Sequence, residues 1–420
     1  MSHAGPEKNL PINAARAVRA FYEGIPYPEP LARLDVRDSY RDPNRRRALF
    51  HRIWPQDRPG SRQEILVAGC GTSQAAQYAL REPDSHVTAI DISETSLRHT
   101  RNLQQQHDLA NLELHRLPLE HIEELGSSFD LIVCTGVLHH LPDPDLGLRA
   151  LRAVLKQKGA MHLMVYGAYG RAGIYMMQQY ARLLGISASA HELRDLSTTL
   201  GSLPSDHPIS ALLHKVKDFR RPESMADALL HPLDSAYTVP QVYSWLERCG
   251  MTFGRWIEQA PYLPDCGALA GTPHAARLSA LPAPAQHAAA ELFRGTMTRH
   301  RFIAFRADYP TPEHDITFAG EECHPYIPIR LPWTLCIRDR VPPGSVAVLL
   351  NPVHEHCDLV LPVTPTQERL LSRIDGQRDI GELVRECGTI AETRRALQFI
   401  ERLWHYDQIE IDASRVARYE

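Results

Sequence analysis

The sequence lacks the features that mark membrane, secreted and nucleic-acid-binding proteins. It contains no apolar run near the roughly 20 residues of a membrane-spanning helix, and residues 1–10 lack the apolar region of a signal peptide. Its eight cysteines are scattered and form no Cys-x-x-Cys pair, which suits a reducing compartment better than a disulfide framework. The net charge is −4, so no excess of basic residues indicates a nucleic-acid partner. We therefore expect a cytoplasmic protein that binds neither membranes nor nucleic acid.

The composition is that of a globular protein with a sizeable core. Hydrophobic residues make up 43% of the chain and charged residues 23%, both of which are ordinary fractions for such proteins. A length of 420 residues predicts two or three domains.

Residues 64–93 are the most informative stretch. Ile65 to Ala68 form an apolar run, which predicts a strand buried on both faces of a parallel sheet. Gly69 and Gly71 follow at once, and glycine permits both a tight turn and the close approach of a ligand to the backbone.

The residues after this turn indicate a nucleoside cofactor. Ser73 to Arg81 predict a helix, and a second apolar strand ends at Asp91. Asp91 lies 20 residues after Gly71, a spacing at which a carboxylate can bind a ribose hydroxyl. A dinucleotide fold would prefer a third glycine at position 74, but Gln74 stands there.

Two motifs resemble the class I S-adenosylmethionine-dependent methyltransferases. The run from Val67 to Thr72, Val-Ala-Gly-Cys-Gly-Thr, resembles the first motif of that family, and the run from Phe129 to Leu141 is similar to its fourth strand and following loop. The resemblance covers about residues 60–166. It implies an α/β fold with a seven-stranded Rossmann-like sheet, helices on both faces, and S-adenosylmethionine as the cofactor.

The resemblance also implies which residues bind that cofactor. They are Gly69, Cys70, Gly71, Thr72, Ser73 and Gln74 at the amino-acid end of the donor, Asp91 at the ribose, Ile92 and Leu119 around the adenine, Thr135, Gly136 and Val137 near the methionine portion, and Ser93 as a further cofactor-binding residue. The sequence departs from the family at Pro118, where many relatives carry an aspartate that contacts the adenine amino group. Relatives also often have Asp at Val67 and Gly at Ser73.

Candidate catalytic groups follow the predicted fourth and fifth strands, whose carboxyl ends are the usual ligand-binding edge of an open α/β sheet. His139 and His140 could orient the acceptor or take its proton, or one could pack while the other caps the loop. Further on, Tyr169 is a third candidate for such a role. Candidate substrate-binding residues there are Tyr166, Arg171 and Tyr175, which could instead belong to a glycine-rich turn and the packing face of the next helix.

Two further segments are candidates for covering the site. Residues 11–24 have helical spacing, and Tyr22 and Tyr27 around the following prolines could form a lid or merely pack on the sheet. An insertion at about 186–240 interrupts the fold. Its His231 (a catalytic candidate), Asp234 and Tyr237 could line the acceptor site or only anchor a loop.

Residues 311–420 are predicted to form a small α+β domain. Phe399 to Ile411 resembles the last helix and wing of a winged-helix unit, and Asp375 to Leu383 resembles peptide-binding winged-helix modules of the PqqD-like kind. Peptide binding, dimerisation (including a homodimer) and simple buttressing all remain open for this segment. The cysteines and histidines at 323–324 and 354–357 have no regular ligand spacing, so we predict no metal site.

These patterns predict three domains and one principal function. The domains are a helical lid at 1–60, a methyltransferase domain at 61–310 and a winged-helix-like domain at 311–420. The function is methyl transfer from S-adenosylmethionine to an N or O nucleophile, with a protein or peptide side chain favoured over a small metabolite. A donor-binding scaffold without turnover is the third hypothesis.

Overall fold

The structure is a computed structural model of the whole chain. It describes residues 11–34, 42–60, 62–215, 221–309, 316–318, 320–385, 387 and 389–415.

Fifteen α-helices and thirteen β-strands are assigned within this described part. The helices are α1 Pro11–Gly24, α2 Pro43–Ile53, α3 Gln74–Arg81, α4 Glu94–Gln106, α5 Pro144–Ala153, α6 Ala172–Leu184, α7 Ala190–Gly201, α8 Ser210–Lys215, α9 Pro222–Leu230, α10 Val239–Arg248, α11 Ala275–Ser279, α12 Ala283–Arg294, α13 Pro365–Arg373, α14 Ile380–Val384 and α15 Ile390–His405. The strands are β1 Glu64–Ala68, β2 His86–Asp91, β3 Leu112–Arg116, β4 Phe129–Thr135, β5 Leu155–Gly167, β6 Ala236–Tyr237, β7 Met251–Trp256, β8 Arg299–Arg306, β9 Ile327–Arg330, β10 Leu335–Ile337, β11 Ala347–Leu350, β12 Val360–Val363 and β13 Ile409–Asp412.

The largest sheet has the strand order β3-β2-β1-β4-β5-β8-β7, with the two-residue β6 paired to β5. Strands β1 to β5 pair in parallel, and Leu66, Val67 and Ala68 of β1 are fully buried, as expected for a central strand with helices on both faces. The strand order changes direction between β1 and β4, and ligands bind at the carboxyl ends of the strands at such a point. The predicted seven-stranded α/β sheet is confirmed.

One predicted element boundary is wrong. The lysines and the glycine at 156–159 predict the end of a helix that runs from 145 to 156. Instead α5 ends at Ala153 and β5 begins at Leu155, which pairs with Phe129 of β4. Gly159 is needed for this pairing, because a Cβ there would lie 3.0 Å from the carbonyl oxygens of Phe129 and Asp130.

By its internal contacts the chain divides into two compact units. The first contains the described residues of 1–34, 62–251 and 295–300, and the second those of 35–61, 252–294 and 301–420. The grouping therefore places α1 in the first unit and α2 in the second. The three predicted domains, 1–60, 61–310 and 311–420, stay a prediction.

The second unit has its own sheets and core. Strands β9 and β13 form an antiparallel pair, and β10, β11 and β12 form a three-stranded antiparallel sheet. Phe399, Ile400 and Leu403 of α15 are buried in its core together with residues of β11 to β13. Helix α2 belongs to this second unit and contacts β13 through Arg52, whose Nε donates to Glu410 at 2.6 Å. The winged-helix-like assignment of this segment stays a prediction.

None of the described helices is both long enough and apolar enough to cross a membrane.

Candidate active site

The turn after β1 is built from two glycines in the left-handed region of backbone space. Gly69 has a φ of +69° and Gly71 a φ of +56°, which side-chain-bearing residues rarely adopt. A Cβ on Gly69 would lie 2.3 Å from Cγ2 of Val137. A Cβ on Gly71 would lie 3.0 Å from the carbonyl oxygen of Tyr27. The close packing of this turn therefore requires glycine at both positions.

Asp91 connects the turn to the loop after β2. Its Oδ2 accepts from the backbone N–H of Gly71 at 2.8 Å, and its Oδ1 accepts from that of Ser93 at 2.9 Å. Burial raises the pKa of Asp91, although these backbone hydrogen bonds act in the opposite direction. Each carboxylate oxygen has a second lone pair, so Asp91 can accept further hydrogen bonds from a ligand hydroxyl.

The end of α1 and the chain after it lie against the same turn. Thr72 Oγ1 donates to the carbonyl oxygen of Pro28 at 2.7 Å, and Ser93 Oγ donates to that of Tyr22 at 3.2 Å. The Glu23 carboxylate accepts from the backbone N–H of Glu94, at 3.0 Å, and from that of the next residue, so it caps the start of α4. Burial alone would raise the pKa of Glu23, but these donors lower it overall.

The other predicted cofactor residues surround this turn. Gln74 at the start of α3 donates from Nε2 to Oγ1 of Thr135 at 2.8 Å, which joins the turn to the end of β4. Gly136 follows with a φ of +80°, and Cys70 and Ser73 are buried. Ile92 is half-buried beside Asp91, whereas Leu119 is buried in contact with α5 at Gly147.

The three predicted histidines lie together. The ring of His140 is 4.2 Å from that of His139 and 3.8 Å from that of His231, between ring centres. All three are buried, and His139 also lies 3.9 Å from the ring of Tyr166 at the carboxyl end of β5. His140 Nδ1 is held by the carbonyl oxygen of Leu233 at 2.7 Å. Among the described residues, neither ring nitrogen of His139 has a hydrogen-bond partner.

Burial keeps these imidazoles uncharged at neutral pH. Burial lowers the pKa of His140 to about 4, although the Leu233 carbonyl acts against this shift. Burial and then the neighbouring His140 lower the pKa of His231 to about 4. Burial also lowers the pKa of His139 well below its usual value, and His140 adds to the effect. A neutral imidazole has one nitrogen that can accept a proton.

A buried carboxylate that the sequence reasoning missed completes this cluster. Asp227 of α9 accepts from the hydroxyl of Tyr22 at 3.0 Å and from that of Tyr166 at 3.2 Å. Its side chain is buried, and burial raises the pKa of Asp227 against the opposing effect of His231. The one sequence signal was a charged residue on a mostly apolar helix, at 222–230.

A buried ion pair supports the ring of Tyr166. Arg171 lies 3.5 Å from the centre of that ring, and its Nη2 donates to Asp234 Oδ2 at 2.7 Å. Gln178 donates to the same carboxylate oxygen at 2.8 Å. Burial alone would lower the pKa of Arg171, but Tyr166 and Asp234 raise it overall, so the guanidinium stays charged.

The remaining predicted residues lie in different surroundings. Tyr175 lies near Arg171, with 5.7 Å between the guanidinium carbon and the ring centre, and burial raises its pKa to about 12. Tyr27 contacts the turn at Gly71 through its backbone. Tyr237 stacks on Trp245 at 5.1 Å, and Tyr169 is 44% exposed. The structure therefore brings the three histidines, Tyr22, Tyr166, Arg171 and Asp234 together, but it does not place Tyr169 or the ring of Tyr237 against them.

The described residues contain no group of three or more His, Cys, Asp or Glu side chains arranged to hold a metal ion. His354, one of the histidines at 354–357, is hydrogen-bonded through Nε2 to Asp407 at 2.8 Å.

Comparisons with known sequences agree with this geometry. Residues 66–161 match the family described as a methyltransferase domain. An uncharacterized protein of Synechococcus is 31% identical over 264 residues, which are 61% of this chain and 63% of that protein. The ubiquinone biosynthesis O-methyltransferase of Acinetobacter baumannii is 23% identical over 171 residues, which are 37% of this chain and 72% of that enzyme. The chain thus spans somewhat less than two thirds of the first of these relatives.

Two solved structures of one protein resemble the fold over most of the chain. The first is that of PKMT2 from Rickettsia typhi in complex with AdoHcy, with a TM-score of 0.63 at 13% identity, covering 91% of this chain and 77% of that one. A second structure of the same protein gives a TM-score of 0.61 at 15% identity. The chain therefore carries a class I, Rossmann-like methyltransferase domain that uses S-adenosylmethionine.

Proposed function

We propose that the whole protein transfers the methyl group of S-adenosylmethionine to an N or O nucleophile on a protein or peptide side chain. The observation that carries this proposal is the cluster of three uncharged imidazoles at the carboxyl end of the sheet. His139 follows two residues after Val137, whose side chain lies beside Gly69 of the turn. A nucleophile that gains a methyl group must lose a proton, and uncharged histidines are groups that can accept it.

The residues at the turn fit the donor. The backbone of Gly69 and Gly71 carries no side chain that would hinder a ligand, and Asp91 keeps lone pairs for two ribose hydroxyls. Gln74 and Thr135 hold the turn against the end of β4 through their hydrogen bond. When bound, S-adenosylmethionine supplies a methyl group made electrophilic by a sulfonium.

The cluster residues would bind and deprotonate the acceptor. His139 has no hydrogen-bond partner at either ring nitrogen within the described part of the chain, so one of them can accept a hydrogen bond from the nucleophile. Tyr166 and His140 fix its ring from two sides, at 3.9 and 4.2 Å. Such fixed alignment is the main contribution a protein makes when the leaving group is already reactive. His140 and His231 are the other residues in reach to hold the proton.

The favoured acceptor is a side chain because the chain contains a second compact unit with its own core, which methyl transfer to a small molecule does not need. Recognition of a macromolecule is a role that such a unit could fill. A small metabolite is the second candidate. The burial of His139 and His140 favours it, because an enclosed site admits only a slender group.

The proposal is tested by measuring which fraction of a cell extract the full-length protein methylates. Deleting 311–420 would be a poor test, since it removes the partners of Arg47 and Arg52, Asp412 and Glu410, from the second unit itself. We suggest adding donor with a labelled methyl group to the macromolecular and small-molecule fractions of a cell extract separately. Label in the macromolecular fraction alone supports the proposal, and label in the small-molecule fraction alone contradicts the peptide acceptor.

The Asp91→Ala variant is the control for background label, since it removes the expected ribose contact. Donor binding without label in either fraction would favour a regulatory scaffold that binds the donor without turnover.

A further inference from the structure

We infer that Asp227 is a positioning residue that ties α1 to the acceptor cluster, so that the affinity for the donor depends on the hydroxyl of Tyr22. The inference rests on the proposed function, because it assumes that the Gly69–Gly71 turn binds S-adenosylmethionine.

Asp227 joins two elements that are far apart in the chain. Its Oδ1 accepts from Tyr22 of α1, 205 positions away, and its Oδ2 accepts from Tyr166 of β5, 61 positions away. Only 3% of Asp227 is exposed. A buried carboxylate needs hydrogen-bond donors to offset its loss of hydration, and these two phenols supply one to each oxygen.

The same end of α1 also contacts the donor side. The carbonyl oxygen of Tyr22 accepts from Ser93 Oγ, and Ser93 donates its backbone N–H to Asp91, the predicted ribose ligand. The next residue, Glu23, caps α4 through the N–H groups of Glu94 and Thr95. Tyr22 thus contacts both halves of the site: its hydroxyl reaches Asp227 at the acceptor cluster, and its carbonyl oxygen reaches Ser93 at the donor side.

The phenols that Asp227 holds also contact the histidines. The ring of Tyr22 lies 5.4 Å from that of His231 and 6.5 Å from that of His140, and the ring of Tyr166 lies 3.9 Å from that of His139. Asp227 therefore fixes two aromatic contacts of the cluster while it holds the end of α1. Loss of the Tyr22 hydroxyl would leave one carboxylate oxygen without its donor and would loosen α1 from the turn.

Calorimetric titration of the full-length protein with S-adenosylhomocysteine, the demethylated donor, tests this coupling. We expect Tyr22→Phe to weaken binding about tenfold, as a hydrogen bond to a charged group is typically worth that much. Asp227→Ala should weaken it to a similar extent. The double variant should bind like either single one, because both substitutions remove the same link.

Two further variants distinguish loss of the Tyr22–Asp227 hydrogen bond from a nonspecific effect of substituting a tyrosine. Tyr180→Phe is the matched control, since Tyr180 is 39% exposed on α6, and it should bind like the wild type. Tyr166→Phe removes the other phenol from the same carboxylate, and we expect a smaller loss than for Tyr22→Phe because Tyr166 does not belong to α1.

Wild-type affinity in Tyr22→Phe, additive losses in the double variant, or equal losses in Tyr166→Phe and Tyr22→Phe would each overturn the inference. Failure of the wild type itself to bind would overturn the proposed donor site, and the inference with it.

Discussion

A histidine side chain in water takes up a proton near pH 6.5, but the imidazoles of this cluster do so only in stronger acid. Burial brings the pKa values of His140 and His231 to about 4 and lowers that of His139 well below its usual value. A group with a lowered pKa is in its neutral form at every pH above that value. The imidazoles of the cluster are therefore unprotonated throughout the neutral range, although the lowered pKa makes each of them a weaker base than a hydrated histidine.

Nuclear magnetic resonance of histidine-labelled protein can check these protonation states. We expect the ring signals of His139, His140 and His231, assigned from single variants, to keep the chemical shifts of neutral imidazole from about pH 8 to pH 5. A titration midpoint near 6.5 for any of the three would show that the ring is hydrated and would contradict its enclosure.

His139 is the residue whose loss we expect to reduce methyl transfer most. His139→Phe keeps a ring to pack on Tyr166 but removes both ring nitrogens. We expect it to lower the transfer rate by about 100-fold, in the range of a lost general base, while donor affinity stays within about twofold. Initial rates of labelled methyl incorporation and calorimetry measure the two effects.

His287→Phe is the matched control for this variant. His287 is also a buried histidine, with a pKa lowered by burial to about 4, but it lies among aromatic residues of the second unit. It should leave transfer unchanged. Equal losses in the two variants would mean that His139 acts only through packing.

At the residue scale, sequence patterns indicated part of the cluster. The histidine pair after the fourth strand was a candidate because parallel sheets bind ligands at that edge. Asp227 was missed because its significance depends on Tyr22 and Tyr166, neither of which is near it in the chain. Tyr237 has the right position beside β5, but only the structure shows that its ring stacks on Trp245.

At the scale of elements, the turn between β1 and α3 depends on close packing as well as on backbone freedom. Gly69 and Gly185 have similar φ values, +69° and +66°, but a Cβ on Gly185 would meet no atom of the described residues within 4 Å. Both alanine variants should lose about 1 kcal/mol of unfolding free energy through backbone strain. Gly69→Ala should lose about 1–3 kcal/mol more, because it collides with Val137.

Denaturant unfolding and donor titration of the two variants test this expectation. Gly185→Ala should keep the wild-type donor affinity, and Gly69→Ala should lose it. Equal stability and equal affinity in the two variants would contradict the packing of the turn.

Element types were easier to predict than element boundaries. The buried strands β1, β2 and β4 are apolar runs and were predicted within a residue or two. The boundary between α5 and β5 was wrong because Lys156 and Gly159 are common at helix ends. Here, however, Lys156 forms an ion pair with Asp130 and Gly159 accommodates the backbone of β4. The local sequence around Lys156 and Gly159 does not show that this segment pairs with β4.

At the scale of the whole molecule, buried histidines make the stability depend on pH. His140, His231 and His287 have folded-state pKa values of about 4, against about 6.5 in the unfolded chain. Between these values the unfolded state binds more protons, so the free energy of unfolding falls as the pH falls. Each histidine contributes a slope of at most about 1.4 kcal/mol per pH unit.

Thermal unfolding measured from pH 7.5 to pH 4.5 checks this dependence. We expect the midpoint to fall steadily below about pH 6.5. Carboxylates whose pKa is lowered in the folded state, such as Asp407 and Asp412, lower the stability further only below about pH 4, where the unfolded chain begins to protonate them. A midpoint that is constant down to pH 4.5 would contradict the burial of these histidines.

The grouping of the chain into units is the feature that sequence reasoning reached least. Helix α2 belongs with β13 through Arg47 and Asp412, which are 365 positions apart. No local sequence pattern indicates a partner at that separation, so the sequence predicted a single helical lid at 1–60. The central strands of the large sheet were predicted because the motifs are contiguous with the strands that carry them.

Calorimetry tests most directly whether the edge of the sheet at Gly69, Gly71 and Asp91 binds S-adenosylmethionine. S-adenosylmethionine and NAD would be titrated into the wild type, into Asp91→Ala, and into Asp206→Ala, an exposed carboxylate in a turn, as the control. We expect the wild type and Asp206→Ala to bind S-adenosylmethionine but not NAD, and Asp91→Ala to bind neither. Binding of NAD, or full affinity for S-adenosylmethionine in Asp91→Ala, would contradict the account.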